Sequence, residues 1–152
     1  MMDLQTINIL ILENNSMDMR DLTCKLKHSI PESHIYPSST CDEAYLTTRL
    51  VPIHLALVNL SMTESNGMDF LVTLHKDASI RDIPVIVTAA PDLHRLVLPF
   101  AEGIGAKFLD KPVEKDDIYE LIKITINSTI DRYDLRFNYS GKNVQHPWAQ
   151  SP

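Results

Sequence analysis

The chain has 152 residues, a net charge of −6, and 44 % hydrophobic against 22 % charged residues. That suffices for one domain with its own core, and the acidic balance argues against nonspecific binding to nucleic acid or an anionic membrane. The two cysteines, Cys24 and Cys41, form neither a disulfide framework nor a metal-ligand spacing. No leader pattern opens the chain, and no apolar run reaches the ~18–20 residues of a membrane span. A reduced, cytoplasmic compartment is the expectation.

Thr6 to Leu12 is a β-rich apolar run and predicts the first strand. Glu13, Asn14, Asn15 and Ser16 form a polar loop, in which Asn15 or Ser16 can cap a helix running to about Ser29. Leu22, Leu26 and Ile30 give that helix its inner stripe, and Pro31 ends it. His34 to Tyr36 predicts a short second strand, placed at an edge because Pro37 cannot donate to a ladder. Thr40 and Glu43 have capping-box spacing and open a second helix through about Leu50.

Ile53 to Val58 is a buried third strand that delivers Asn59 to its carboxyl end. A polar loop closed by Gly67 leads into a third helix, Gly67 to about His75. Pro84 to Thr88 is the fourth strand. Leu93 to Glu102 is the fourth helix, with Pro99 inside it expected to kink or shorten it. Lys107 to Leu109 is a short fifth strand, followed by the loop Asp110, Lys111 and Pro112. The fifth helix runs from Lys115 or Asp116 to about Thr129. From Asp131 on no apolar periodicity is seen, so residues 1–130 read as one domain and 131–152 as a C-terminal tail.

Alternating strands and helices predict an α/β fold with a parallel sheet covered on both faces: a flavodoxin-like (βα)5 doubly wound sheet of order 2-1-3-4-5. In such a sheet, strands 1, 3, 4 and 5 are neighbours. Glu13 and Asn14, Asn59, Thr88 and Lys111 then converge at the carboxyl edge, where open α/β sheets carry their chemistry. The six histidines, His28, His34, His54, His75, His94 and His146, show no metal-binding or phosphotransfer spacing. The pairs Met17/Met19 and Met62/Met68 read as packing.

With those residues in place, the sequence resembles the receiver domain of two-component response regulators, from Thr6 to about Ile130. The segments carrying the resemblance are Ile9 to Asn15, Val58 to Gly67, Pro84 to Ala89, and Gly105 to Pro112. The family pattern is an acidic pair after strand 1, a phosphoacceptor aspartate ending strand 3, Ser or Thr ending strand 4, and Lys-Pro after strand 5. The departures bear on function. Asn59 stands at the phosphoacceptor position, where a neutral amide oxygen is a poor nucleophile. Asn14 leaves Glu13 as the lone acid of the pair, and Thr63 replaces the usual loop proline.

The resemblance implies a Mg²⁺ held by the acidic pair, the acceptor and a backbone carbonyl, here that of Ser61. With vestigial donors Glu13, Asn59 and Ser61, and one carboxylate of three, no metal or other cofactor is expected and Mg²⁺ binding should be weak or absent. Lys111 should pair with Glu13 or donate to the Asn59 oxygen. At ~4 Å and an effective dielectric of ~20, the pair has roughly 4 kcal/mol of Coulomb energy before desolvation. Thr88 and Phe108 stand at the family's switch positions, although Phe108 reads equally as a core phenylalanine.

The resemblance therefore implies a pseudo-receiver: a non-enzymatic, phosphorylation-independent interaction module of a two-component or phosphorelay pathway. Its partner would be a sensor histidine kinase or an output protein. A homodimer could form through the face of helix 4, strand 5 and helix 5, with His94, Val97, Leu98, Lys107, Tyr119 and Lys123. Nucleic acid and membrane are not expected partners, since the tail holds only Arg132, Arg136 and Lys142 as cations. The alternatives are a receiver phosphorylated at another acceptor such as Glu13 or Ser61, and an engineered Asp-to-Asn form of an active one. A small-ligand binder of flavodoxin type needs a phosphate-cradling loop after strand 1, and Glu13 to Met17 has no glycine.

Overall fold

The computed structural model describes residues 7–31, 33–61 and 66–137, the last eleven, 127–137, by backbone alone. Thr6, Met62, Thr63, His146 and Trp148, with the rest of the tail beyond Phe137, lie outside the described residues. Five strands and five helices alternate: β1 (Asn8–Leu12), α1 (Ser16–Ser29), β2 (His34–Ser38), α2 (Cys41–Leu50), β3 (Leu55–Asn59), α3 (Asn66–Lys76), β4 (Val85–Ala89), α4 (Pro91–Gly103), β5 (Lys107–Asp110) and α5 (Lys115–Phe137). The strands form one parallel sheet in the order β2-β1-β3-β4-β5, the doubly wound arrangement that the alternation of elements predicts.

The central strands are apolar on both faces because helices cover both. Successive side chains of a strand point to opposite sides, so Leu10, Leu12, Ala56, Val58, Val85 and Val87 join Phe70, Leu71 and Leu74 of α3 in one core layer. Ile9, Ile11, Leu55, Leu57 and Ile86 join Leu22 and Leu26 of α1 and Ile118, Ile122 and Ile126 of α5 in the other. Pro37 sits on the edge strand β2, where a missing N–H leaves no ladder bond unmade.

The helix starts follow capping chemistry. Asn15 caps α1, its side chain accepting from the Asp18 N–H at 2.9 Å. Thr40 caps α2 by accepting from the Glu43 N–H at 3.1 Å. Glu43 closes the other half of its box one residue early, on the N–H of Ser39 at 2.7 Å. That bond and a second one from the Ser39 hydroxyl hold the Glu43 carboxyl below its ordinary range.

Two expectations about helix length need correcting. Pro99 does not shorten α4, which runs from Pro91 to Gly103 with Pro91 at its first turn. A proline at the start supplies the helical φ, which offsets part of the interior disruption. The fifth helix does not stop near Thr129 but continues to Phe137. No Gly or Pro interrupts the chain before Gly141, and without a breaker a helix outlasts its apolar stripe.

Candidate functional site

The carboxyl ends of β1, β3 and β4 and the loop after β5 meet at one edge of the sheet. Register puts Asn59 directly beside Thr88. The backbone N–H of Leu60 donates to the Thr88 carbonyl at 2.9 Å, and that of Lys111 to the Ala89 carbonyl at 2.9 Å. The loops carrying Asn59 and Lys111 are thus fixed by the strand next to them.

Glu13 is buried, 3 % exposed, and is the common partner of the site. Its N–H donates to the Ser38 carbonyl at 3.0 Å, tying it to β2. Its Oε1 accepts from Lys111 Nζ at 3.1 Å. Its Oε2 accepts from Asn59 Nδ2 at 2.9 Å and from the Asn15 N–H at 3.1 Å. Three donors around one buried carboxylate replace the hydrogen bonds to water that burial takes from it.

Asn59 is also buried, 4 % exposed. While Nδ2 donates to Glu13, Oδ1 accepts from the Ser61 N–H at 2.9 Å. The opposite amide orientation would set oxygen against carboxylate and NH₂ against N–H, so its two neighbours fix which way this amide points. Gly67 supports the same position. A Cβ there would lie 2.3 Å from the Asn59 carbonyl oxygen and 3.1 Å from a Leu60 methyl, so only glycine lets α3 start so close to the end of β3.

Lys111 pairs with Glu13, one of the two partners the sequence suggested; the Asn59 oxygen is taken by Ser61 instead. The ammonium has a second partner that sequence reasoning missed, Asp18 of α1, at 3.1 Å. Aspartate in the first turn of a helix is favoured by the helix dipole whatever else it does. Its residue type therefore gave no signal of this role. Lys111, Glu13, Asp18 and the buried Thr88 line a pocket of about 330 Å³, with Leu22 and Val113 as apolar wall. Asn14 is exposed and lines a shallower cleft on the other side of Glu13.

Phe108 is half-buried and packs against the core. Its outer face is stacked with His94 of α4, ring centroids 4.0 Å apart and planes within 7°. His94 Nδ1 lies 2.7 Å from Asp110 Oδ1. His94 is thus engaged within the domain. Val97 and Leu98 are half-buried, Lys107 is exposed, and Lys123 lies 5.2 Å from the centre of the half-buried Tyr119 ring. Sequence reasoning missed the large apolar side chains most open on these helices, Leu96 at 80 %, Ile124 at 53 % and Phe100 at 36 % exposure. Helical phase alone could have singled out Leu96 and Phe100, which lie four apart on a face without buried residues.

Among the described residues no group of His, Cys, Asp and Glu is arranged to hold a metal ion, and no helix is long and apolar enough to cross a membrane. No family model matches the sequence, and no curated protein matches it. Solved structures do match the fold. A sensor protein from Polaromonas sp. JS666 superposes with a TM-score of 0.72 at 18 % identity, over 80 % of this chain and 97 % of that one. The signal receiver domain of a signal transduction histidine kinase from Syntrophus aciditrophicus gives 0.70 at 22 % identity, over 81 % and 92 %. The signal receiver domain of a DNA-binding response regulator from Colwellia psychrerythraea 34H gives 0.68 at 19 % identity, over 80 % and 99 %. The chain shares their fold.

Proposed function

We propose that this chain is a receiver-type signalling domain of a two-component or phosphorelay pathway that acts by protein contact and takes no phosphoryl group. The observation that carries the proposal is the Asn59 amide. It stands at the strand end where receivers keep their acceptor aspartate, and both of its polar atoms are committed, Nδ2 to Glu13 and Oδ1 to Ser61. An amide oxygen lacks the negative charge that makes a carboxylate a nucleophile.

The divalent cation implied by the resemblance does not fit these residues. Both Glu13 oxygens already accept hydrogen bonds, and Asn59 turns its NH₂ group, not its oxygen, toward Glu13. Magnesium requires several oxygen donors in near-octahedral array, and the two carboxylates beside the site, Glu13 and Asp18, are already held by Lys111. The domain is accordingly not an enzyme in this reading, and its output lies in whom it binds: a sensor histidine kinase, an output protein or a second copy of the chain. The exposed Leu96 and Phe100 on α4 and Ile124 on α5 offer apolar area of the kind protein contacts use. Its place is the cytoplasm.

The test is incubation of the full chain with acetyl phosphate and MgCl₂, followed by intact mass. No gain is expected for the wild type. A stoichiometric, acid-labile gain of one phosphoryl group would sink the proposal, whichever residue carried it.

A further inference from the structure

Among the described residues Lys111 is the only cation bonded to Glu13, and it reaches two carboxylates from elements far apart in the chain, Glu13 after β1 and Asp18 in α1. Its ammonium is 3.1 Å from each. The side chain of Lys111 is 23 % exposed, that of Glu13 2 % and that of Asp18 53 %, so the clasp runs from the interior to the rim of the pocket. A buried carboxylate without a counter-charge is unstable, and Asn59 provides a hydrogen bond but no charge. We propose that Glu13 and Asp18 hold Lys111 as the pocket's own cation, which removes any requirement for a divalent ion and fixes the pocket in one state. Asp18 is the positioning residue, because it draws the ammonium to the rim and keeps it from swinging into solvent.

This inference deepens the reading above by naming what holds that site constant. The clasp joins β1, the first turn of α1 and the loop after β5, which leads into α5. Asn59 completes it from below by occupying the Glu13 oxygen that faces away from Lys111. The pocket thus has an internal ammonium with hydrogen-bonding reach where the resemblance calls for a metal with charge two. One ammonium cannot bridge as many oxygens as a divalent ion, and among the described residues this one meets two carboxylates.

The experiment is thermal unfolding of the full chain in MgCl₂ and in NaCl of matched ionic strength, for wild type, K111Q, D18N and D18N/K111Q. Wild type should melt at the same temperature in both salts. K111Q should melt several degrees lower and be raised by Mg²⁺ but not by NaCl, because its two uncompensated carboxylates now recruit the ion. Its Mg²⁺ affinity should be at least about tenfold above that of wild type, and D18N/K111Q should lose most of this gain. Mg²⁺ raising wild type as much as K111Q, or a folded K111Q indifferent to Mg²⁺, would overturn the proposal.

If K111Q does not fold, D18N carries the test through the side-chain ammonium resonance of Lys111. In wild type that signal should stand apart from the bulk lysines and exchange slowly with water, and in D18N it should join them. A Lys111 signal already within the bulk lysine envelope in wild type would also overturn the clasp. Mg²⁺ stabilising wild type as much as K111Q, without a phosphoryl gain, sinks the clasp alone. A phosphoryl gain by a chain whose stability ignores Mg²⁺ sinks the functional reading and leaves the clasp.

Discussion

Asn59 differs from an aspartate by one group, NH₂ in place of O⁻, and that group is what Glu13 uses. Asn59→Asp would remove a donor from a buried carboxylate and place a second negative charge against it. In metal-free buffer the variant should lose about 1–3 kcal/mol of stability, the cost of unsatisfying a buried polar group, read from urea unfolding. A variant as stable as wild type would show that Lys111 and the Asn15 N–H satisfy Glu13 without the amide. The residues of this network were unequally legible in the sequence. Glu13, Asn59, Thr88 and Lys111 each follow an apolar run, so a strand end could be assigned to each and the sheet order did the rest. Asp18 sits on the polar face of a helix among other charges, and nothing in its neighbours along the chain points to a lysine 93 residues away. The His94–Phe108 stack was hidden for the same reason: it depends on the lateral distance between α4 and β5, which no periodicity encodes.

At the scale of elements, α1 matters because its first turn carries Asp18. Asn15 fixes that turn from both sides, with its side chain on the Asp18 N–H and its own N–H on Glu13 Oε2. Asn15→Ala removes the cap and should cost about 1 kcal/mol, checked by urea unfolding. Because the cap also orients Asp18, amide exchange at the start of α1 should rise in the same variant. An effect on stability with unchanged exchange there would separate the two roles. The bounds of α1 and α2 could be read closely from the sequence because capping residues and breakers flank them. The end of α5 could not, since Asp131 to Phe137 mixes charged and aromatic residues with no stripe and no terminator.

At the scale of the whole molecule, acid should weaken the fold in two separate ranges. His54 precedes β3, and its Nδ1 accepts from the Asn8 N–H at 2.9 Å, which only an unprotonated nitrogen can do. Burial holds its pKa below the ordinary 6.5. The unfolded chain therefore takes up a proton that the folded chain refuses, and stability present above 6.5 declines as pH falls through that value. Asp77 is pulled from 3.8 to about 2 by the Ser79 hydroxyl and N–H and then by the Tyr45 hydroxyl. Its contribution is present above 3.8 and is lost as pH falls through about 2. Urea midpoints across pH should show both declines, and His54→Asn, which keeps an acceptor that does not titrate there, should flatten only the upper one. An unchanged upper decline would assign it to another histidine. The contact between Gly67 and the end of β3 has a mechanical consequence for the assembled domain. Where most helices meet a sheet through side chains that can rotate to absorb a shift, α3 begins with backbone bearing directly on backbone. A displacement of a few tenths of an ångström at position 59 has no compliant layer to dissipate in there. It passes to α3 as a rigid movement, so a change at position 59 reaches a helix that carries no residue of the pocket.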